Sequence, residues 1–204
     1  MGCCPSAAVS GDSLAPDAIF YVRDDHASTF QQVRLARDLH KAAGGTLWLE
    51  FIYEDVLEEV RKAFASSSTE DDDEALAAVL RSIEHNGWSV EFNESLVNLL
   101  SVARKYRMNF HALDDPEWSK DAFIAKYGST LGGMRYLANR ASHLDDHEGA
   151  TSRWCDKIVQ TRSQQPGPIV VLGGAEHGPA LIEFMKARIN VEVRFMYADF
   201  RQER

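Results

Sequence analysis

Two kinds of hydrophobic pattern alternate along the chain. Short apolar runs predict strands, and stretches in which apolar residues recur every three or four positions predict helices. Strands are predicted at 18–24, 46–52, 108–115, 168–174 and 191–199. Helices are predicted at 28–45, 54–64, 74–85, 93–106 and 179–188, with further helical segments within 117–164. Strands separated by helices are typical of an α/β fold, so we expect one layered domain with a mostly parallel central sheet flanked by helices.

Polar residues at the predicted helix ends sharpen this assignment. Ser28 and Gln31 have the spacing of a capping box at the start of the first helix. Gly44 or Gly45 is predicted to end that helix, because glycine tolerates the left-handed conformation common there. Asn93 is predicted to be the N-cap of the helix at 93–106.

Composition and charge limit the class of protein. The 204 residues are enough for one domain with a substantial core, and we assign 1–17 to a flexible N-terminal tail and 18–204 to the α/β domain. A formal net charge of −9 argues against a nucleic acid as the main partner. The acidic run at 66–74 is predicted to be an exposed loop. We find no membrane-spanning stretch and no secretory signal, so we expect a cytoplasmic protein.

The N-terminal sequence "MGCCPS" is a candidate lipidation motif. Gly2 and Ser6 fit the myristoylation pattern, and Cys3 and Cys4 are natural palmitoylation sites beside it. With Cys155 far away, the cysteines form no disulfide framework, which favours a reducing compartment. The motif predicts membrane association through N-terminal acylation, as in a protein secreted into a host cell and attached to the inner face of its membrane. The alternative is a tail whose sequence carries no signal.

Candidate chemical groups follow the ends of four predicted strands. They are Asp24, Asp25 and His26, then Glu50, then Asp114 and Asp115, and last Glu176 and His177. Because ligands of open α/β sheets bind at the carboxyl ends of the strands, these positions predict one site. Glu50 lies in the apolar run "LWLEFI", where a carboxylate is costly unless it is coordinated or paired, for instance with helix N–H groups or an arginine. Gly173 and Gly174 before His177 would let the backbone approach a ligand closely.

Several of these residues also have purely structural interpretations. Asp24, Asp25 and His26 could instead cap the helix that begins near Ser28, and each aspartate suits this role as well as a functional one. His111, inside the third strand, is interpreted as a core or surface histidine with its hydrogen bonds satisfied. His143 and His147 have the i, i+4 spacing of a metal pair on a helix, but the surrounding acids and glycine favour a solvated loop.

Three short motifs, taken in order, resemble a known superfamily. They are "RDDH" at 23–26, Glu50 in "LWLE", and "GAEH" at 174–177. Their order and placement are similar to those of the superfamily of Tiki-type proteases, ChaN-like haem-binding proteins, erythromycin esterases and the Ras-cleaving peptidase domain of large bacterial toxins. The segments "FHALDD" at 110–115 and "SRWCDKIVQ" at 152–160 also look similar to that family. The resemblance covers most of 18–198.

The resemblance implies a hydrolase that cleaves an amide or ester bond of a peptide, protein or ester substrate with an activated water. His26 and His177 would then be metal ligands or proton-transfer groups, and Glu50 a general base or carboxylate ligand. Asp24 would orient His26 or complete the ligand shell. Two imidazoles and a carboxylate suit a divalent Zn, Mn or Co ion that activates water, and a metal-free site in which Glu50 and His177 share a proton is the alternative.

The chain also departs from the family pattern in its first motif. Arg23 stands where the family has glycine, and Asp24 stands where many members have glutamate. These changes keep two other interpretations open on the same fold. One is a ChaN-like protein that binds haem or a metal, and the other is a catalytically inactive interaction protein.

Overall fold

Five parallel strands form one sheet in the computed structural model, which describes residues 14–24, 28–66, 76, 89–114, 120–135, 147–175, 177–189 and 191–197. The strands are β1 (Ile19–Asp24), β2 (Thr46–Tyr53), β3 (Asn109–Asp114), β4 (Ile169–Gly174) and β5 (Val193–Phe195). Their order across the sheet is β3-β2-β4-β1-β5, and every neighbouring pair is parallel. The predicted α/β fold with a parallel sheet is therefore confirmed.

Six helices flank the sheet within the described ranges, together with a helical stretch at 129–135. They are α1 (Phe30–Asp38), α2 (Glu54–Ser66), α3 (Val90–Lys105), α4 (Lys120–Tyr127), α5 (His147–Arg162) and α6 (His177–Ile189). A 3₁₀ turn, Leu39–Ala42, continues α1, and Gly44 follows it with a φ of +74°. The helix predicted at 74–85, apart from Leu76, and nearly all of the acidic run at 66–74 lie outside the described residues. None of the described helices combines the length and hydropathy needed to cross a bilayer.

The start of α3 corrects the predicted helix cap. Ser89 is the N-cap, in extended conformation, and its Oγ accepts a hydrogen bond from the Phe92 N–H. Asn93 instead lies within the helix and is buried. The prediction for Asn93 was wrong because Val90 and Phe92 extend the apolar pattern by one turn toward the N-terminus.

The capping box predicted for α1 is also absent from the structure. Thr29 takes the N-cap position and makes no side-chain cap bond, whereas the Ser28 Oγ accepts a hydrogen bond from the Phe30 N–H at 3.2 Å.

The alternation of side chains along the strands divides the core into two layers. Phe20 and Val22 point into a large cluster beneath α1, α2 and α3, and Ile19 and Tyr21 point to the opposite face. The cluster on that second face includes Trp154 and other residues of α5 and α6, two helices that pack against each other. Each face of the sheet is therefore covered by its own set of helices, as expected for a buried parallel sheet.

An irregularity in β2 coincides with a predicted site residue. Leu47 and Leu49 point into the first cluster and Trp48 into the second, so alternation places Glu50 on the α5–α6 face. Two positions later Ile52 packs into the first cluster, and the register with β3 shifts between Leu49 and Tyr53. The alternation of β2 side chains between the two faces of the sheet is therefore interrupted just after Glu50. Such irregularities often re-aim side chains beside functional sites.

Candidate functional site

Glu50 and His177 meet on the α5–α6 face at the carboxyl ends of β2 and β4. The Glu50 Oε1 lies 3.6 Å from the His177 Nε2, and only 14% and 11% of the two side chains are exposed. The other carboxylate oxygen, Oε2, accepts a hydrogen bond from the N–H of Gly174. The structure thus brings together two predicted site residues that are 127 positions apart in the chain (177 − 50).

The imidazole of His177 is held by two side chains of α5. Its Nδ1 lies 2.9 Å from the Oγ1 of Thr151, which is fully buried. The Trp154 ring packs against the imidazole with a centroid separation of 4.3 Å. A threonine hydroxyl can both donate and accept, so Thr151 can hold the ring in either neutral tautomer or as imidazolium. The indole keeps water from one side of the ring.

Two consecutive glycines at the end of β4 form the floor of the site. A Cβ at Gly173 would lie 2.6 Å from the Tyr21 Oη and 3.1 Å from the Glu50 Oε2. The Tyr21 hydroxyl donates a 2.7 Å hydrogen bond to the carbonyl of Gly174. We expected the glycines to make room for a ligand, but the described neighbours that require Gly173 are the protein's own tyrosine and carboxylate.

Charged and aromatic residues of β1 and β5 lie beside this floor. Burial raises the pKa of Tyr21 well above its usual value, and the negative charge of Glu50 adds to that effect. The Arg23 guanidinium stacks over the ring of Phe195 at 4.0 Å and acts in the opposite direction on the pKa of Tyr21. Arg23, the position at which the first motif departs from the superfamily it resembles, thus packs against an aromatic ring near the site.

The remaining residues of the first motif are placed differently. Asp24 is buried at the end of β1, beside Gly174 in the strand register. Strand alternation assigns its side chain to the face of Phe20 and Val22, opposite Tyr21 and Glu50. His26 lies outside the described residues, as do Asp25, Asp115 and Glu176, so the role of Asp24 in orienting His26 stays a prediction.

The structure describes two of the three predicted metal ligands, Glu50 and His177. Among the described residues, no three His, Cys, Asp or Glu side chains form a cluster that could hold a metal ion. Glu50 and His177 supply two donors, whereas catalytic zinc sites usually have three protein ligands. A third ligand from His26 stays a prediction. Similarly, His143 and the side chain of His147 lie outside the described part.

Cys155 and His111 also lie on the second face of the sheet, apart from the Glu50–His177 pair. Burial raises the pKa of the Cys155 thiol to about 11, which leaves it protonated and poorly reactive. The His111 ring packs against Trp48 with a centroid separation of 4.9 Å, and burial lowers its pKa. Both residues therefore serve in packing.

Three residues of the site were not identified from the sequence. Tyr21 lies in an apolar strand, where an aromatic residue is typical of a core. Thr151 and Trp154 lie one helical turn apart on α5, inside a segment for which only general helical character was predicted. The i, i+3 spacing of a buried threonine and a tryptophan was the available signal, because it places both on one helix face.

Comparisons with known proteins add no functional assignment. No protein-family model matches the chain, and no curated protein matches it. Among solved structures, the type III effector HopBA1 aligns with this chain at a TM-score of 0.45 and 13% sequence identity. The alignment covers 76% of this chain and 65% of the HopBA1 chain. This chain therefore spans slightly less than two thirds of that structure's length, and a likeness at this level carries no argument about function.

Proposed function

We propose that this protein is a hydrolase in which Glu50 and His177 form an acid–base pair that activates water toward an amide or ester bond. The observation that carries the proposal is the approach of the Glu50 Oε1 to the His177 Nε2, at 3.6 Å, in a largely buried setting. Each partner is separately oriented, Glu50 by the Gly174 N–H and His177 by Thr151. A proton-transfer pair whose members are each oriented by another group is the arrangement that acid–base catalysis requires.

A water molecule beside the pair can contact both groups. At 3.6 Å the Oε1–Nε2 distance is too long for a direct hydrogen bond, and one water that lies off the line joining the two atoms can hydrogen-bond to both. Glu50 would accept a proton from that water as its oxygen attacks the carbonyl carbon of the substrate. The protonated His177 would then donate its Nε2 proton to the leaving amine or alcohol as the scissile bond breaks. Transfer of the proton from Glu50 to His177 restores the starting state.

The surroundings of the pair support these roles. A carboxylate near the imidazole favours the imidazolium form needed for the acid step, and Thr151 can accept a hydrogen bond from Nδ1–H in that form. The pair lies at the first residue of α6, where the positive end of the helix partly offsets the buried charge of Glu50. Trp154 and Tyr21 limit the access of bulk water, which strengthens electrostatic interactions in the site.

A divalent metal held by Glu50, His177 and His26 is the second form of the same proposal. A bound metal would lower the pKa of the attacking water. The described residues provide only two of its three ligands, so the steps above depend on the chain's own acid and base. Sensitivity of the activity to chelators decides between the two forms.

We also propose that the chain belongs to the Tiki, ChaN-like and erythromycin esterase superfamily. The support is that Glu50 and His177, which come from two of its three motifs, meet in one site. Two alternatives on this fold are a protein that binds haem and an interaction protein that is catalytically inactive. A Soret band after addition of haemin would favour the first, and inactivity of the folded protein toward all substrates would favour the second.

The N-terminal motif supports a separate proposal about location. Myristoylation of Gly2 and palmitoylation of Cys3 or Cys4 would attach the protein to the inner face of a host-cell membrane. One acyl chain binds membranes only reversibly, and the acidic chain gains little from an anionic leaflet, so two chains are needed. In fractionated eukaryotic cells, Gly2→Ala should therefore be soluble and wild type membrane-bound. Equal solubility of the two would refute acylation.

The catalytic proposal is tested with a panel of nitrophenyl esters and fluorogenic peptides. Glu50→Gln and His177→Asn should each lower kcat/KM by about 100-fold or more, the range expected for loss of a general acid or base. The double variant should be little worse than either single variant, because the two groups act as a unit. His40→Asn and Glu58→Gln change the same residue types at a distance from the site and serve as matched controls. The proposal is wrong if the site variants stay as active as these controls.

A further inference from the structure

Tyr21 connects the two halves of the candidate site although it is completely buried. Its hydroxyl donates to the carbonyl of Gly174, and the N–H of the same glycine donates to the Glu50 carboxylate. Both polar groups of Gly174 are therefore bound by side chains, one from β1 and one from β2. The position of the Glu50 carboxylate depends on the same residue that Tyr21 binds.

The Tyr21 ring also supports the helix that carries His177. A Cβ at Gly178, the residue after His177, would lie 2.9 Å from the Cε1 atom of Phe195 and 3.1 and 3.2 Å from the Cε1 and Cδ1 atoms of Tyr21. The Tyr21 ring also makes an edge-to-face contact with Phe195 at a centroid separation of 6.1 Å. The first turn of α6 thus packs directly on the Tyr21 ring, together with the ring of Phe195.

We propose that Tyr21 is a positioning residue for the Glu50–His177 pair: its hydroxyl fixes the Gly174 peptide that holds Glu50, and its ring seats the first turn of α6. This inference rests on the proposed function. Glu50, Asp24 and Arg23 are the charged groups that act on Tyr21. Because burial keeps the pKa of the phenol high, the hydroxyl stays a donor throughout the neutral pH range.

The test is an NMR titration of the histidine rings in isotope-labelled wild type and Tyr21→Phe. The His177 signals are assigned by their absence in His177→Asn. Without the phenolic hydroxyl, the Gly174 peptide no longer holds the carboxylate near the imidazole. The His177 titration midpoint should therefore fall, by more than the midpoints of the other six histidines vary.

The matched control is Tyr197→Phe. That tyrosine also donates its hydroxyl to a partner, the Asp38 Oδ2 at 3.1 Å, but it packs with the cluster on the opposite face of the sheet. The control loses an equivalent hydrogen bond and should leave His177 unchanged. A purely structural role for Tyr21 would lower the melting temperature without moving the His177 midpoint.

Two more variants separate the possible failures. Glu50→Gln should move the His177 titration midpoint whether or not Tyr21 is a positioning residue. An unchanged midpoint in Glu50→Gln would refute the acid–base pair itself. If Glu50→Gln moves His177 but Tyr21→Phe does not, only the role of Tyr21 is refuted. Should Tyr21→Phe fail to fold, Gly178→Ala decides: its Cβ crowds the rings of Tyr21 and Phe195, so the first turn of α6 must move and the His177 signals should shift, whereas unchanged signals overturn the inference.

Discussion

Glu50 and Glu54 lie four residues apart, and each carboxylate accepts a hydrogen bond from a backbone N–H of a different strand. Glu54 binds the Ala112 N–H at 2.9 Å and pairs with Arg61 at 2.7 Å. Arg61 in turn donates to the carbonyl of Phe110. Together these two side chains cover backbone groups of β3, which lies at one edge of the described sheet. This protects an edge that is otherwise a template for aggregation.

Glu50 has a different second partner and a different environment. In place of an arginine it faces the imidazole of His177, and only 14% of its side chain is exposed against 46% for Glu54. An arginine keeps its proton at every physiological pH, so the Glu54 pair can only stabilise the fold. A histidine gains and loses its proton near neutrality, so the Glu50 pair can move one. The identity of the partner, more than the carboxylate itself, therefore decides whether such a pair is able to exchange a proton.

The largest effect on stability is expected at the floor of the Glu50 site. Gly173→Ala should destabilise the protein by about 1–3 kcal/mol, because the new Cβ overlaps the Tyr21 hydroxyl and crowds the Glu50 carboxylate. Gly133→Ala is the matched control, since its Cβ meets no atom within 4 Å in the described part of the chain outside its own helix. Urea denaturation measures both. Equal stability of the two variants would show that Tyr21 and Glu50 do not pack closely against Gly173.

A smaller effect is expected at Glu54. Glu54→Gln should cost roughly 0.5–1 kcal/mol, because the ion pair with Arg61 is partly exposed and therefore screened. It should leave hydrolysis unchanged. Glu50→Gln should keep stability within about 0.5 kcal/mol of wild type or raise it slightly, since polar groups poised for function often lower stability. The comparison fails if Glu50→Gln proves the more destabilising of the two in the same denaturation experiment.

The convergence of Glu50 and His177 was predictable because parallel strands bring their carboxyl ends to one edge, whatever the distance along the chain. The helix cap at Ser89 was missed because a polar residue four positions later gave an equally good local signal. Tyr21 was missed for a deeper reason. In a strand, a tyrosine that packs in the core and one that orients a glycine peptide look identical, since the difference lies in a contact with a residue 153 positions away. The environment of Thr151 likewise depends on how α5 and α6 pack.

The pH dependence of hydrolysis in wild type, Glu50→Gln and Glu54→Gln tests the central claim most directly. The account predicts a bell-shaped profile of kcat/KM for wild type and Glu54→Gln, in which activity falls at acidic pH as Glu50 takes up a proton and at basic pH as His177 loses one. Glu50→Gln should lose about 100-fold at the optimum together with the acidic limb. Retention of both the rate and the acidic limb in Glu50→Gln would contradict the account.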